Sequence, residues 1–281
     1  MFIGRLGNQL FQYSFLAYLK SKNPHLRFFF PNPHHAQSLG KYFDLGLNNN
    51  LKFNSKIYSV FTRLLPKLLP FKNVSINSIG SPKDIKVTNN TIFWGYYQTD
   101  WYINNTPGRL QIKIKKKYIN KFQELYGMQF NGKKTIAVHI RRTDYLNYHK
   151  RDISLPIEYF KTRLNAIQDL DSYLVFFLSD DIEYTKKSFD NKPNFIFSGN
   201  DEIIDFQILM NADICIISNS SFSWWAAYLN EKKNIVYAPK NWIGFRIGKS
   251  FPTGIMTDKF IWCDVFENNR MGPKEDNMLL K

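Results

Sequence analysis

Five short apolar runs in the second half of the chain alternate with stretches of helical character. The runs are Thr135–Ile140, Tyr173–Leu178, Asn194–Phe197, Asp213–Ile217 and Asn234–Ala238; between them lie Pro156–Gln168, Ile182–Phe189, Asp201–Asn211 and Phe222–Asn230. Runs that are apolar throughout, rather than at every second residue, read as strands buried on both faces. Their alternation with helices at this spacing predicts right-handed βαβ units and an α/β, Rossmann-like parallel sheet. Ligands of such sheets bind beyond the strands' carboxyl ends. The segments that follow the runs, His139–Asp144, Ser179–Asp181, Ser198–Asn200 and Ser218–Phe222, are the polar ones.

The first half is less regular. Leu10–Lys20 reads as a helix, with Leu10, Tyr13, Ser14, Ala17 and Tyr18 at helical spacing, preceded by a tight turn at Gly4–Asn8. Thr91–Tyr97 reads as a strand and Leu110–Tyr126 as a basic helix, with turns at Pro31–Pro33, Asn48–Asn50 and Asn89–Asn90 and a polar tail from about Asn268. Asn131–Lys134 is a candidate boundary between an N-terminal domain, residues 1–130, and a C-terminal domain, residues 131–281.

Composition narrows the class. The chain of 281 residues is 44% hydrophobic and 17% aromatic, which excludes a disordered chain. Two cysteines, Cys215 and Cys263, exclude a disulfide framework and a cysteine-only zinc site. No apolar run is long enough to span a bilayer, and the start, Met1–Arg5, lacks the pattern of a secretory signal, so a cytoplasmic protein is expected. The formal charge of +15 is uneven: 18 Lys+Arg face 4 Asp+Glu in residues 1–130, against 20 and 19 in the rest. A basic half fits an anionic partner or plain solubility.

Four motifs carry candidate chemistry. His139-Ile140-Arg141-Arg142-Thr143-Asp144 places two guanidinium groups, suited to phosphate oxygens, at a strand's carboxyl end. Ser218–Trp225 follows a strand and opens a helix, where N–H groups and hydroxyls form an anion site or an ordinary cap, with Trp224 and Trp225 in the core. Ser179-Asp180-Asp181 offers carboxylates for a sugar hydroxyl, a guanine edge or Mg²⁺. Gly4-Arg5-Leu6-Gly7-Asn8-Gln9 is glycine-rich but lacks the spacing of a Walker loop. No His, Cys and Asp cluster shows transition-metal spacing, and His34-His35 reads as surface.

Taken in order, these motifs resemble glycosyltransferase family 11, the α-1,2-fucosyltransferases. The matching segments are Gly4 to Gln12, Gly95-Tyr96-Tyr97-Gln98, His139 to Tyr145, Phe177 to Asp181 with an inserted Leu178, and Asn219 to Ala227. The resemblance implies a GT-B-like two-domain arrangement with an acceptor-side N-terminal domain and a GDP-fucose-binding C-terminal domain. It implies inverting transfer of L-fucose from GDP-β-L-fucose to the 2-hydroxyl of a galactose in an acceptor glycan. Arg141 would stabilise the departing diphosphate, helped by His139, Arg142 and the Asn219-Ser220-Ser221 helix start, with no metal and no cofactor required. Ser179 and Asp181 would contact the guanosine part, and Phe222 would pack either on a ligand ring or on the core. Arg5 and Asn8 would face the reacting centre across the interdomain cleft, and Asp144 is either the general base or an orienter of the arginines.

Other readings remain open at this level. A fucosyltransferase of different linkage is a near alternative. A basic nucleic-acid-binding protein, resting on Lys113, Lys115, Lys116, Lys117 and Lys121 along one helix, is remote, because it leaves the ordered motifs unexplained; no nucleic-acid partner is expected. Val60–Lys72 is apolar and basic, which fits either peripheral contact with the anionic inner face of a membrane or a core segment broken by Pro66 and Pro70.

Overall fold

The computed structural model describes residues 4–26, 28, 37–44, 55–76, 85, 87–108, 110 and 112–266. The readings at Met1–Ile3, Pro31–Pro33, His34-His35, Asn48–Asn50 and the tail from Asn268 lie outside the described residues. The chain divides into two compact units, Met1–Lys115 with Pro252–Ile255, and Lys116–Phe251 with Met256–Lys281.

The first unit runs α1 (Leu6–Lys22), α2 (Gln37–Tyr42), β1 (Phe43–Asp44), α3 (Ser55–Leu68), β2 (Lys72–Ser75), β3 (Thr91–Trp94), α4 (Trp101–Asn104) and β4 (Lys113–Ile114). Helix α1 starts four residues earlier than the periodicity predicts. Gly4 takes φ +78°, and Arg5 is the N-cap, so Leu6 to Gln9 form the first helical turn rather than a loop. The helix is buried almost all round. Phe15 stacks on Tyr97 at 3.8 Å and meets Tyr102 edge-on, and with Tyr18 and Leu19 they form this unit's aromatic core. The strand expected over Thr91–Tyr97 ends at Trp94. A cavity of about 560 Å³ lies among α1, α3 and the β2–β3 pair, lined largely by apolar side chains such as Phe15, Leu19, Leu65 and Phe93.

The second unit runs α5 (Lys116–Gly132), β5 (Thr135–Ile140), α6 (Ile157–Asn165), β6 (Leu174–Ser179), α7 (Ile182–Ser188), β7 (Phe195–Phe197), α8 (Glu202–Asn211), β8 (Ile214–Ile217), α9 (Ser221–Tyr228), β9 (Ile235–Pro239) and β10 (Ile261–Cys263). The six strands form one parallel sheet in the order β10-β9-β8-β5-β6-β7. All five predicted strands form, within a residue or two at each end. The sixth, β10, is too short for periodicity to mark. The chain therefore winds outward from β5 to β7, returns to the other side of β5 and winds outward again, so the order reverses between β5 and β8. That reversal is where a doubly wound sheet opens its ligand crevice.

Burial explains the apolar runs. Every residue of β5 is buried, and Val175, Phe176, Phe177 and Leu178 of β6 are 1% exposed or less. The inserted Leu178 is thus one more core residue. Trp224 and Trp225 of α9 are fully buried; Trp224 stacks on Tyr228 at 4.6 Å. The basic helix reads differently from its expectation: Lys113 belongs to β4, Lys115 bonds the carbonyl of Gly40, and Lys121 pairs with Asp201 at 3.0 Å, so these lysines do not share one helix face. Among the described residues no helix is long and apolar enough to cross a membrane.

Beyond β7, the Asp205 carboxylate lies 2.5 Å from the Ser198 hydroxyl. Burial outweighs the hydrogen bonds from Ser198 and Asn200 and raises its pKa to about 6. The unfolded chain gives up this proton near pH 4, whereas the folded chain holds it to about pH 6, so Asp205 lowers stability progressively between those values and by its full amount above pH 6. Asp205→Asn is expected to raise stability at pH 7.5 by about 1–3 kcal/mol, and by little at pH 4, in urea titrations at the two pH values. In the same titrations Trp224→Ala is expected to cost about 3–5 kcal/mol. Met128→Ala, at a site 88% exposed, is expected to change stability by less than about 0.5 kcal/mol.

Candidate functional site

The carboxyl ends of β5, β6 and β8, adjacent at the sheet's point of reversal, carry most of the sequence-predicted residues. Register decides which of them meet. Ile140 of β5 pairs with Ser179 of β6, so the next residues, Arg141 and Asp180, emerge side by side. The Arg141 guanidinium reaches Asp180 at 3.1 Å and Asp144 at 2.5 Å. Asp180 also accepts from the backbone N–H of Arg142 at 2.9 Å, the backbone N–H of Thr143 at 3.2 Å and the Thr143 hydroxyl. Burial disfavours its charge, but the Thr143 hydroxyl, the Arg141 guanidinium and the Arg142 N–H together hold the carboxyl below its ordinary range. Asp180 therefore fixes the turn after β5 and aims Arg141.

Arg142 points elsewhere. Its guanidinium lies 3.6 Å above the Tyr184 ring, with Nε 3.3 Å from Asp181. Asp181 caps α7 by accepting the N–H of Tyr184, and Ser179 Oγ accepts the N–H of Asp181. Ser179 and Asp181 thus shape the turn into α7.

On the β8 side, His139 Nδ1 is 2.9 Å from Ser218 Oγ. Burial, then the neighbouring Arg141, lowers the His139 pKa to about 3 against the opposing pull of Asp180. The imidazole is neutral at physiological pH, and any help it gives to an anion comes from a ring N–H rather than a charge. Phe222 sits between rings, 5.6 Å from His139 and 5.4 Å from Phe206, and is partly exposed. Ser220 is the N-cap of α9 and Ser221 its first residue. As at every helix start, the first N–H groups have no acceptor within the helix, and their dipoles favour an anion.

Asn219 is wholly buried, and its amide donates to the carbonyl of Ile153 at 2.9 Å. The Tyr145 hydroxyl, kept protonated by burial, donates to the carbonyl of Asn219 at 3.1 Å. These bonds lock the segment after β5 onto the segment after β8. Asn219 Oδ1 is buried with no hydrogen-bond partner.

Arg5 and Asn8 stand in the first unit. Arg5 is exposed at the start of α1. Asn8 Oδ1 accepts from the Gln98 amide at 2.8 Å, Gln9 donates to the carbonyl of Gly4 at 2.9 Å, and Gln12 donates to the carbonyl of Gly95 at 3.3 Å. A Cβ at Gly4 would stand 2.7 Å from Asn8 Nδ2, and one at Gly95 2.6 Å from the carbonyl of Ile76. The glycines and glutamines of two motifs about ninety residues apart thus build one frame around Asn8.

Asp180, Gln98 and Tyr145 lie within the sequence motifs without a role of their own there, and Tyr184 lies outside them; the strand adjacency that brings Asp180 rather than Asp181 to Arg141 is invisible in a linear pattern. Among the described residues no group of three or more His, Cys, Asp or Glu side chains is placed to hold a metal ion.

The model of glycosyl transferase family 11 matches residues 1–247. An α-1,2-colitosyltransferase of Escherichia coli is 30% identical over 85% of this chain and 90% of its own length. The O-antigen biosynthesis glycosyltransferase WbnK of Escherichia coli is 33% identical over 38% of this chain and 39% of its length. The mouse galactoside 2-α-L-fucosyltransferase Sec1 is 24% identical over 80% of the chain and 62% of its length. Among solved structures, the fucosyltransferase NodZ from Bradyrhizobium aligns with 79% of this chain and 89% of its own at 13% identity and a TM-score of 0.49. With a family model matching residues 1–247 and a relative similar over 85% of its length, the chain belongs to glycosyl transferase family 11 and is a glycosyltransferase.

Proposed function

We propose that the protein transfers L-fucose from GDP-β-L-fucose to the 2-hydroxyl of a galactose in an acceptor glycan, with inversion at the anomeric carbon. The observation that carries this reading is Arg141, a permanently charged fork held by two carboxylates at the sheet's point of reversal, where β5 pairs with β8, the strand that leads into α9. A sugar leaving a nucleoside diphosphate deposits charge on the β-phosphate, and preorganised donors aimed at that charge lower the barrier. The linkage and the galactose acceptor draw support from the resemblance to family motifs and from the similarity to Sec1.

Charge arithmetic refines the mechanism. Arg141 and Arg142 face Asp144, Asp180 and Asp181, and His139 is neutral, so the cluster is not a bulk anion trap. On this reading a diphosphate competes with the carboxylates for Arg141. Asp180 has four polar partners and a side chain 18% exposed, whereas Asp144 is 44% exposed. Asp144 is the exchangeable one. Displaced from Arg141 as the donor binds, its carboxylate becomes available to take the proton of the attacking 2-hydroxyl, so its orienting and basic roles follow one another. The first N–H groups of α9 supply further stabilisation, while Arg142 stays committed to Tyr184 and Asp181, and the reaction on this reading needs no metal ion.

The opposite roles of the two carboxylates give opposite signs. Asp144→Asn is expected to tighten GDP binding several-fold by removing a competitor, and to lower kcat by about a hundredfold or more through loss of the base. Asp180→Asn is expected to weaken GDP binding. Arg141→Ala is expected to cut kcat by about 10²–10³ with the thermal transition retained. Calorimetric GDP titration and product formation measure these, and weaker GDP binding by Asp144→Asn would sink the exchange.

The similarity to a colitosyltransferase favours a second reading, in which the donor sugar is colitose, which lacks the 3-hydroxyl of L-fucose. A site that hydrogen-bonds that hydroxyl rejects the deoxy sugar by about 10⁴ or more, and a site lined by apolar groups there does not. The fucosyl reading expects kcat/KM for GDP-fucose to exceed that for GDP-colitose, with the rate unchanged by a chelator. Linkage analysis of the product then identifies the acceptor hydroxyl.

A further inference from the structure

Helix α3 presents its apolar side to solvent. Its inward residues are Thr62, 3% exposed, with Leu65 and Pro66, all against the cavity of the first unit. Its outward residues include Val60 at 49%, Phe61 at 50%, Leu64 at 47% and Leu68 at 77% exposure. The spacing i, i+1, i+4, i+8 puts these four on one stripe. Leu69, which follows the helix through its N–H bond to Leu65, lines the cavity with the inward residues and is no part of the stripe. A helix that served only the core of its own unit would turn these groups inward and a threonine out.

The stripe has a basic border. Arg63 and Lys67 are exposed beside it, Lys72 is exposed just beyond the helix, and six basic residues with no acidic one lie between Asp44 and Asp84. That border selects among occupants. A second copy of the same face would bring Arg63 and Lys67 against their own counterparts, like charge on like. An anionic lipid surface matches both features, with apolar side chains in the headgroup–acyl boundary and cations on lipid phosphates.

We infer that α3 docks the first unit on an anionic lipid bilayer through Val60, Phe61, Leu64 and Leu68, with Arg63 and Lys67 on the headgroup phosphates. The inference is independent of the proposed transfer reaction, because it concerns binding to lipid and no donor or acceptor enters its test. The full chain is floated with vesicles of phosphatidylcholine, alone and mixed with phosphatidylglycerol. Binding is expected to the mixed vesicles and to fall as salt is raised. Arg63→Gln/Lys67→Gln is expected to weaken it about thirtyfold, at about 1 kcal/mol per basic residue. Phe61→Glu/Leu68→Glu, at exposed positions and with an unchanged thermal transition, is expected to abolish it. Equal binding to neutral vesicles, or full binding by Phe61→Glu/Leu68→Glu, would overturn the proposal. So would a wild-type chain that stays at the bottom of the gradient while sedimenting as a dimer that Phe61→Glu/Leu68→Glu separates, which would assign the stripe to self-association.

Discussion

The grip of Asp180 on the segment after β5 is the interaction on which the site depends. One carboxylate accepts from Arg141, from two successive backbone N–H groups and from a hydroxyl, which is close to the full capacity of its oxygens. The grip is possible only because β5 and β6 pair in a register that ends on Ile140 and Ser179. A shift of one residue would turn Arg141 to the other face of the sheet. The apolar packing of the two strands, through Val138, Phe177 and their neighbours, therefore also sets the direction in which a charged side chain points.

The two sides of the reversal point play different parts. The β6 side supplies charge balance, and the β8 side supplies a partner for the neutral imidazole of His139, a locked loop and a helix start. Because His139 stays neutral far below physiological pH, its ring adds no change of charge to this cluster over the range in which an unperturbed histidine would titrate.

The parallel sheet was legible because its strands are buried on both faces, which leaves continuous apolar runs such as Thr135–Ile140 and Tyr173–Leu178. Their carboxyl ends were legible for the same reason. What a linear pattern lacks is neighbourhood. It offers the carboxylates of Asp180 and Asp181 alike, whereas strand pairing sets Asp180 against Arg141 and leaves Ser179 and Asp181 to shape the turn into α7. It read Gly4–Asn8 as a turn, because helix α1 carries no capping side chain or acidic first turn to mark its start. It read one basic helix from Leu110, where β4 takes Lys113 and pairs it with Asp44. Strand β10, three residues long, has no period to detect.

The composition of the first unit bears on how the chain is made. Pro252–Ile255 belongs to that unit, although the second unit's strands through β9 all precede it in sequence. During synthesis from the amino terminus the first unit emerges early but cannot gain its final segment until nearly the whole second unit has left the ribosome. Cutting the chain at Lys115 would accordingly remove part of the first unit, so the two halves are interleaved in order of assembly even where their cores are separate.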